Sequence, residues 1–137
     1  MIEYNYETDF VLEDEKNITN WIEKCILEHD FKIGEINYIF CNDAYLHKLN
    51  VEFLSHDTLT DVISFDNTLG KIISGDIFIS VERVQDNAMD FSTSFLNELH
   101  RVMIHGVLHY LGYKDKSIEE KEIMRAKENL CLTYLNY

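Results

Sequence analysis

Apolar residues recur along this chain with two different periods, and the switches between them lay out an alternating series of strands and helices. At the start, "IEYNYE" alternates apolar and polar positions, the period of a half-buried strand. In "DEKNITNWIEKCILEHD" the period lengthens: Ile18, Trp21, Ile22, Cys25 and Ile26 fall three and four apart, on one helical face. "KIGEINYIFC" is dense in β-branched and aromatic residues and predicts a second strand, and Asn42 stands where it can cap a helix over "DAYLHKLNVEFL". This strand–helix–strand–helix order predicts a parallel start to the sheet. "TDVISFD" and "KIISGDIFIS" then predict two short strands around the turn signal "NTLG", paired as a hairpin or meander that gives the sheet an antiparallel edge. A short helix follows over "SVERVQDNAMD", a long one from about Ser92 to Leu111, and a last one over "SIEEKEIMRAKENLCLTYLNY", where Ser117 and Glu120 have the spacing of a capping box.

Composition narrows the class. A chain of 137 residues with 46% hydrophobic and 12% aromatic residues is rich enough to bury one core, and no repeat or Gly/Ser-rich stretch divides it. With no proline in the chain, element boundaries rest on Gly, Asn, Asp and Ser. "MIEYNYETDF" has neither the basic start nor the apolar stretch of a signal peptide, and no run of about 18 apolar residues occurs, so a soluble, cytoplasmic protein without membrane contact is expected. Cys25, Cys41 and Cys131 are odd in number and far apart, a pattern that fits reduced packing residues.

Charge changes the picture. The formal net charge of -13 repels nucleic acid at long range, yet Lys114, Lys116, Lys121, Arg125 and Lys127 fall within fourteen positions near the C-terminus. Because "SIEEKEIMRAKEN" interleaves both signs, a solvated helix with Glu/Lys pairs accounts for most of that cluster.

The chemistry lies in the long helix. With His105 set at zero and about 100° per residue, His109 falls near 40°, Glu98 near 20°, Val102 near 60°, Arg101 near -40° and Gly112 near -20°. Leu96, Leu99, Met103, Ile104, Val107 and Leu111 fall on the other side, as a core stripe. Two histidines at i and i+4 can turn their rings onto one ion, the arrangement of H-x-x-x-H zinc sites. Gly112 can end the helix with a positive φ and send the chain back toward that face, which puts Asp115 where a third ligand belongs. The alternative is that Asp115 caps the last helix near Ser117. Glu98, two turns before the histidines, is a candidate outer partner of the site. In zinc peptidases of this spacing a glutamate follows the first histidine and acts as general base; here that residue is Gly106.

The blocks "LNVEFLSHDTLTDVISFD", "SGDIFIS", "FLNELHRVMIHGVLHYLGYKDK" and "EEKEIMRAKE" together resemble the YbeY family over most of the chain. That resemblance implies a single α+β domain over 1–137 with a mixed four-stranded sheet and about five helices, zincin-like. It also implies a metal-dependent endoribonuclease of rRNA maturation and ribosome quality control. Zinc, one ion per chain, is expected at His105 and His109, with Asp115 in the position of the family's usual third histidine; the carboxylate makes the site harder and more negative, so other divalent metals also qualify. An open fourth position would complete a hydrolytic site, beside a cationic cleft of Arg101 with Lys114 or Lys116. The implied partners are rRNA and the ribosome or its proteins, and no DNA. Thr60, Asp61 and Ser64 match the family block, although turn and strand roles also explain them. Leu54 stands where many members have an arginine near the cleft, and neither His56 nor Lys48 replaces it on sequence grounds. Two other readings therefore stay open: a zinc metallopeptidase-like hydrolase, and a noncatalytic ribosome-associated binding protein.

Overall fold

Nine elements follow one another in the computed structural model, which describes residues 1–56 and 58–135: β1 (Ile2–Tyr6), α1 (Glu15–Leu27), β2 (Lys32–Cys41), α2 (Asp43–Leu54), β3 (Val62–Asp66), β4 (Ile72–Ser80), α3 (Val81–Asp90), α4 (Phe95–Tyr110) and α5 (Ile118–Leu132). The sheet order is β1-β2-β4-β3, with β1 and β4 parallel to β2 and only β3 antiparallel to β4. The parallel start and the antiparallel edge are those the hydrophobic pattern predicts. The end of the last predicted helix, at Asn136 and Tyr137, lies outside the described residues.

Side-chain alternation divides the sheet into unequal faces. Ile36, Tyr38 and Phe40 of β2 and Ile73, Ile77 and Ile79 of β4 are fully buried in one cluster with α1 and α4. Tyr38 donates its hydroxyl to the Met103 carbonyl at 2.9 Å, and Trp21 donates its indole N–H to the Cys131 carbonyl at 2.7 Å, so the polar tips of both aromatics are satisfied inside the core. The other face carries a smaller cluster of Cys41, Leu46 and Ile63 under α2. All three cysteines are buried and free. Among the described residues no helix is long and apolar enough to cross a membrane.

The caps decide where the helices begin. Asn42 accepts from the Tyr45 amide at 2.9 Å, and the Ser117/Glu120 capping box forms in both directions. α4 starts at Phe95, three residues later than expected, because Ser94 accepts from the Asn97 amide while Ser92 turns the chain at φ 53°. Leu96, assigned to the core stripe, lies in the first turn ahead of the buried positions and is 39% exposed. Leu99, Met103 and Val107 are fully buried toward the sheet, as their phase predicts. The opposite side is covered too, because α5 packs across it, and the histidines sit half-buried in that seam.

Candidate metal centre

His105 and His109 occupy the last turns of α4, and the turn that follows brings a carboxylate back to them. The Gly112 amide bonds to the His109 carbonyl and the Tyr113 amide to that of Leu108, each at 3.0 Å, closing the helix. Gly112 itself has φ 105°, a region closed to most side chains. The chain reverses there, and Asp115 Oδ2 comes to 3.2 Å from both His105 Nε2 and His109 Nε2, which are 3.0 Å apart. A tetrahedral ion with bonds of ~2.0–2.1 Å spaces its ligand atoms roughly 3.3 Å apart, so this triangle has the size of one face of such a shell. The three side chains can hold one metal ion. Asp115 does not cap α5, since Ser117 fills that position.

The outer contacts explain why both rings present Nε2. His109 Nδ1 lies 3.0 Å from the Tyr113 carbonyl, which can only accept, so Nδ1 carries the proton and Nε2 keeps its lone pair. His105 Nδ1 lies 2.6 Å from Glu128 Oε2, a carboxylate that fixes the same tautomer. Glu128 also receives Arg101 at 3.1 Å and Arg125 at 3.6 Å, and it is only 6% exposed. Burial pulls the His105 pKa down, but the hydrogen bond and charge of Glu128, with Asp115 and Asp61 nearby, outweigh it and raise the value above the ordinary one.

Sequence reasoning passed over Glu128 because it belongs to a stretch of mixed charge. Its phase holds the signal: Glu128 is in register with Met124, Cys131 and Leu132, the other buried positions of α5.

A cavity of about 350 Å³ opens beside the triangle, lined in part by His105, Asp115, Glu98, Asp61, Arg101 and Arg125. Lys121 joins its wall, whereas Lys114 and Lys116, expected there, do not. The last helix supplies the cations instead: Lys121 and Arg125 of α5 lie on the wall, while the turn before it contributes Asp115. Glu98 lies on the cavity wall, and no hydrogen bond links it to His105. Burial raises its pKa, and the charge of Asp61 adds to the effect. Asp61 is raised by burial as well, partly offset by its own backbone, His105 and the Asn87 amide. Of its neighbours in sequence, Thr60 donates to the Val62 carbonyl and Ser64 meets the Tyr110 hydroxyl, so these two serve the strand and its packing. Leu54 ends α2 at 43% exposure and Lys48 pairs with Glu52 at 4.0 Å; neither lines the cavity.

Gly106 points elsewhere than at the ligands. A Cβ added there would meet Ile77 Cδ1 at 3.0 Å, so α4 approaches β4 closely at this residue and a larger side chain requires Ile77 to shift.

The profile of the endoribonuclease YbeY family matches residues 2–136. The chain belongs to that family. Endoribonuclease YbeY of Flavobacterium johnsoniae is 61% identical over 129 residues, covering 94% of this chain and 93% of the relative, and that of Christiangramia forsetii is 58% identical over 127 residues, covering 93% and 89%. The solution structure of TM1509 from Thermotoga maritima superposes with a TM-score of 0.68 at 25% identity, covering 98% of this chain and 91% of that one. The YbeY-family architecture thus accounts for the mixed four-stranded sheet with five helices, and it is the frame in which α4, its closing turn and α5 meet.

Proposed function

We propose that this chain is a zinc-dependent endoribonuclease that hydrolyses phosphodiester bonds of single-stranded RNA, in rRNA maturation and ribosome quality control in the cytoplasm. His105, His109 and Asp115 hold the ion on this reading. The observation that carries it is the triangle of candidate ligand atoms, 3.0 to 3.2 Å on a side, opening onto a cavity whose wall includes Arg101, Lys121 and Arg125, in a chain of this family. A divalent ion there supplies Lewis acidity and positive charge toward a phosphoryl oxygen. The chain's own residues position and screen. Glu128 and the Tyr113 carbonyl hold the two imidazoles with Nε2 forward. Arg101, tied to Glu128, and the more exposed Lys121 and Arg125 receive phosphate oxygens. Attraction is local, since the net charge of -13 opposes RNA at a distance.

Peptide hydrolysis fits less well, because the position of the peptidase glutamate is packed against Ile77. The test is digestion of a single-stranded RNA by zinc-loaded protein, with metal content measured alongside. The wild type cleaves, and Asp115→Ala loses both zinc and cleavage. Asp115→His restores them. Zinc bound at full affinity by Asp115→Ala would overturn the ligand assignment, and turnover of unstructured peptides without RNA cleavage would overturn the substrate.

A further inference from the structure

The cavity beside the ligand triangle holds one group that neither metal binding nor packing uses. Glu98 is 5% exposed, lies on the cavity wall, and its carboxylate accepts no hydrogen bond from any described residue. Its oxygens reach the cavity rather than closed protein interior, and burial with the charge of Asp61 raises its pKa, partly offset by Arg101 and Arg125.

Two kinds of partner would relieve it: a cation or a molecule with N–H donors. Arg101, Lys121 and Arg125 line the same cavity with Asp61, Asp115 and Glu128, so its wall offers both signs rather than the uniform negative charge that suits a bare cation. A ligand with an anionic part for the cations and a donor edge for the carboxylate satisfies both signs. A nucleotide has that composition. Val62, Val102 and Met124 supply apolar wall for the faces of a base, and about 350 Å³ lies within the range of small-molecule sites.

We propose that this cavity is a nucleobase subsite next to the scissile phosphate, in which the Glu98 carboxylate reads guanine through its adjacent N1–H and N2–H donors. Guanine is selected because its Watson–Crick edge offers two parallel N–H groups to two carboxylate oxygens. Adenine and uracil do not offer that pair, and cytosine offers only its amino group. The subsite rests on the reading of the chain as a ribonuclease, to which it adds a base preference.

The test titrates the zinc-loaded full-length protein with guanosine, inosine, adenosine and uridine 5′-monophosphates and measures cleavage of oligoribonucleotides that differ in one base. Guanosine monophosphate binds about 10-fold tighter than the adenosine and uridine nucleotides, the scale of one bidentate pair, with inosine between them because it lacks the amino group. Cleavage occurs beside guanine. Glu98→Gln reduces the preference to within about 2-fold, with the thermal midpoint as the check on folding, whereas Arg125→Ala weakens all four nucleotides alike. The nucleotide series on the wild type decides the matter even if the Glu98 variant does not fold. RNA cleavage without base preference overturns the subsite and leaves the ribonuclease reading standing; guanine preference without any RNA cleavage overturns the ribonuclease reading and leaves the subsite.

Discussion

The flank of α4 that faces the sheet and the flank that faces α5 are both buried, but they are built from different residues. Toward the sheet stand Leu99, Met103, Val107 and the bare backbone of Gly106 against Ile77. Toward α5 stand Glu98, Arg101 and His105, answered by Glu128. An apolar flank stabilises by removing surface from water and needs only shape. A polar flank must match each buried donor to an acceptor, and here the matching leaves two imidazole nitrogens and one carboxylate oxygen aimed at a common point. Stability and chemistry are thereby assigned to opposite sides of one helix.

The strongest way to break this division is His105→Ala. Zinc affinity should fall by more than the ~10–100-fold typical of a lost outer partner, while the metal-free protein melts close to the wild type; calorimetric zinc titration and a melting curve with chelator check both halves. The mirror experiment is Met103→Ala, expected to cost about 2–5 kcal/mol of folding stability with zinc affinity little changed. Denaturant titration reads the first quantity, and a large loss of zinc affinity would show that the two flanks are not separable. Glu128→Gln sharpens the comparison, because it keeps size and burial but removes the charge that fixes His105. Zinc affinity should drop ~10–100-fold, and the nitrogen chemical shifts of His105 should show a mixture of tautomers.

A smaller effect comes from His100, a buried neighbour of the Trp21 ring outside the candidate metal site. Burial lowers its pKa to about 4 from the ordinary 6.5. The folded state therefore stays neutral while the unfolded chain takes up a proton. Its contribution is complete above pH 6.5 and is lost as pH falls from there toward 4, about 2 kcal/mol by pH 5. Metal-free His100→Leu should show a flatter stability profile over that window, and equal slopes for variant and wild type would rule the assignment out.

Much of this was legible in the sequence, for reasons that particular residues make plain. Period alone places His105 and His109 on one side of a helix, and Gly112 signals where the chain turns back, so the convergence of Asp115 is written in local spacing. The sheet follows from the same logic, since each strand carries its own alternation. What spacing could not supply is what crosses the chain. Glu128 reaches His105 from 23 residues away, and nothing in α4 announces it. Lys114 and Lys116 are nearer the candidate ligands in sequence than Lys121 and Arg125, yet the later pair lines the cavity, because the direction of α5 depends on packing. Leu96 shows the limit of helical phase: the stripe continues on paper beyond the point where the core ends.

The residue after His109 ties the candidate site to the sheet. Tyr110 donates its hydroxyl to the Phe65 carbonyl at 3.0 Å, with the Asp76 carbonyl at 3.2 Å, and its ring end lies where a side chain on Gly75 would have to go. The end of α4 is thus bolted to the β3–β4 ribbon, and the backbone that carries the two imidazoles is held by the sheet. Asp115 rides on the short stretch between Gly112 and the Ser117 cap, whose Tyr113 carbonyl also holds His109 Nδ1. A shift of that stretch would carry the Asp115 carboxylate and the acceptor of His109 Nδ1 together, so in the proposed site the turn governs the placing of the third ligand and the tautomer of the second as one unit.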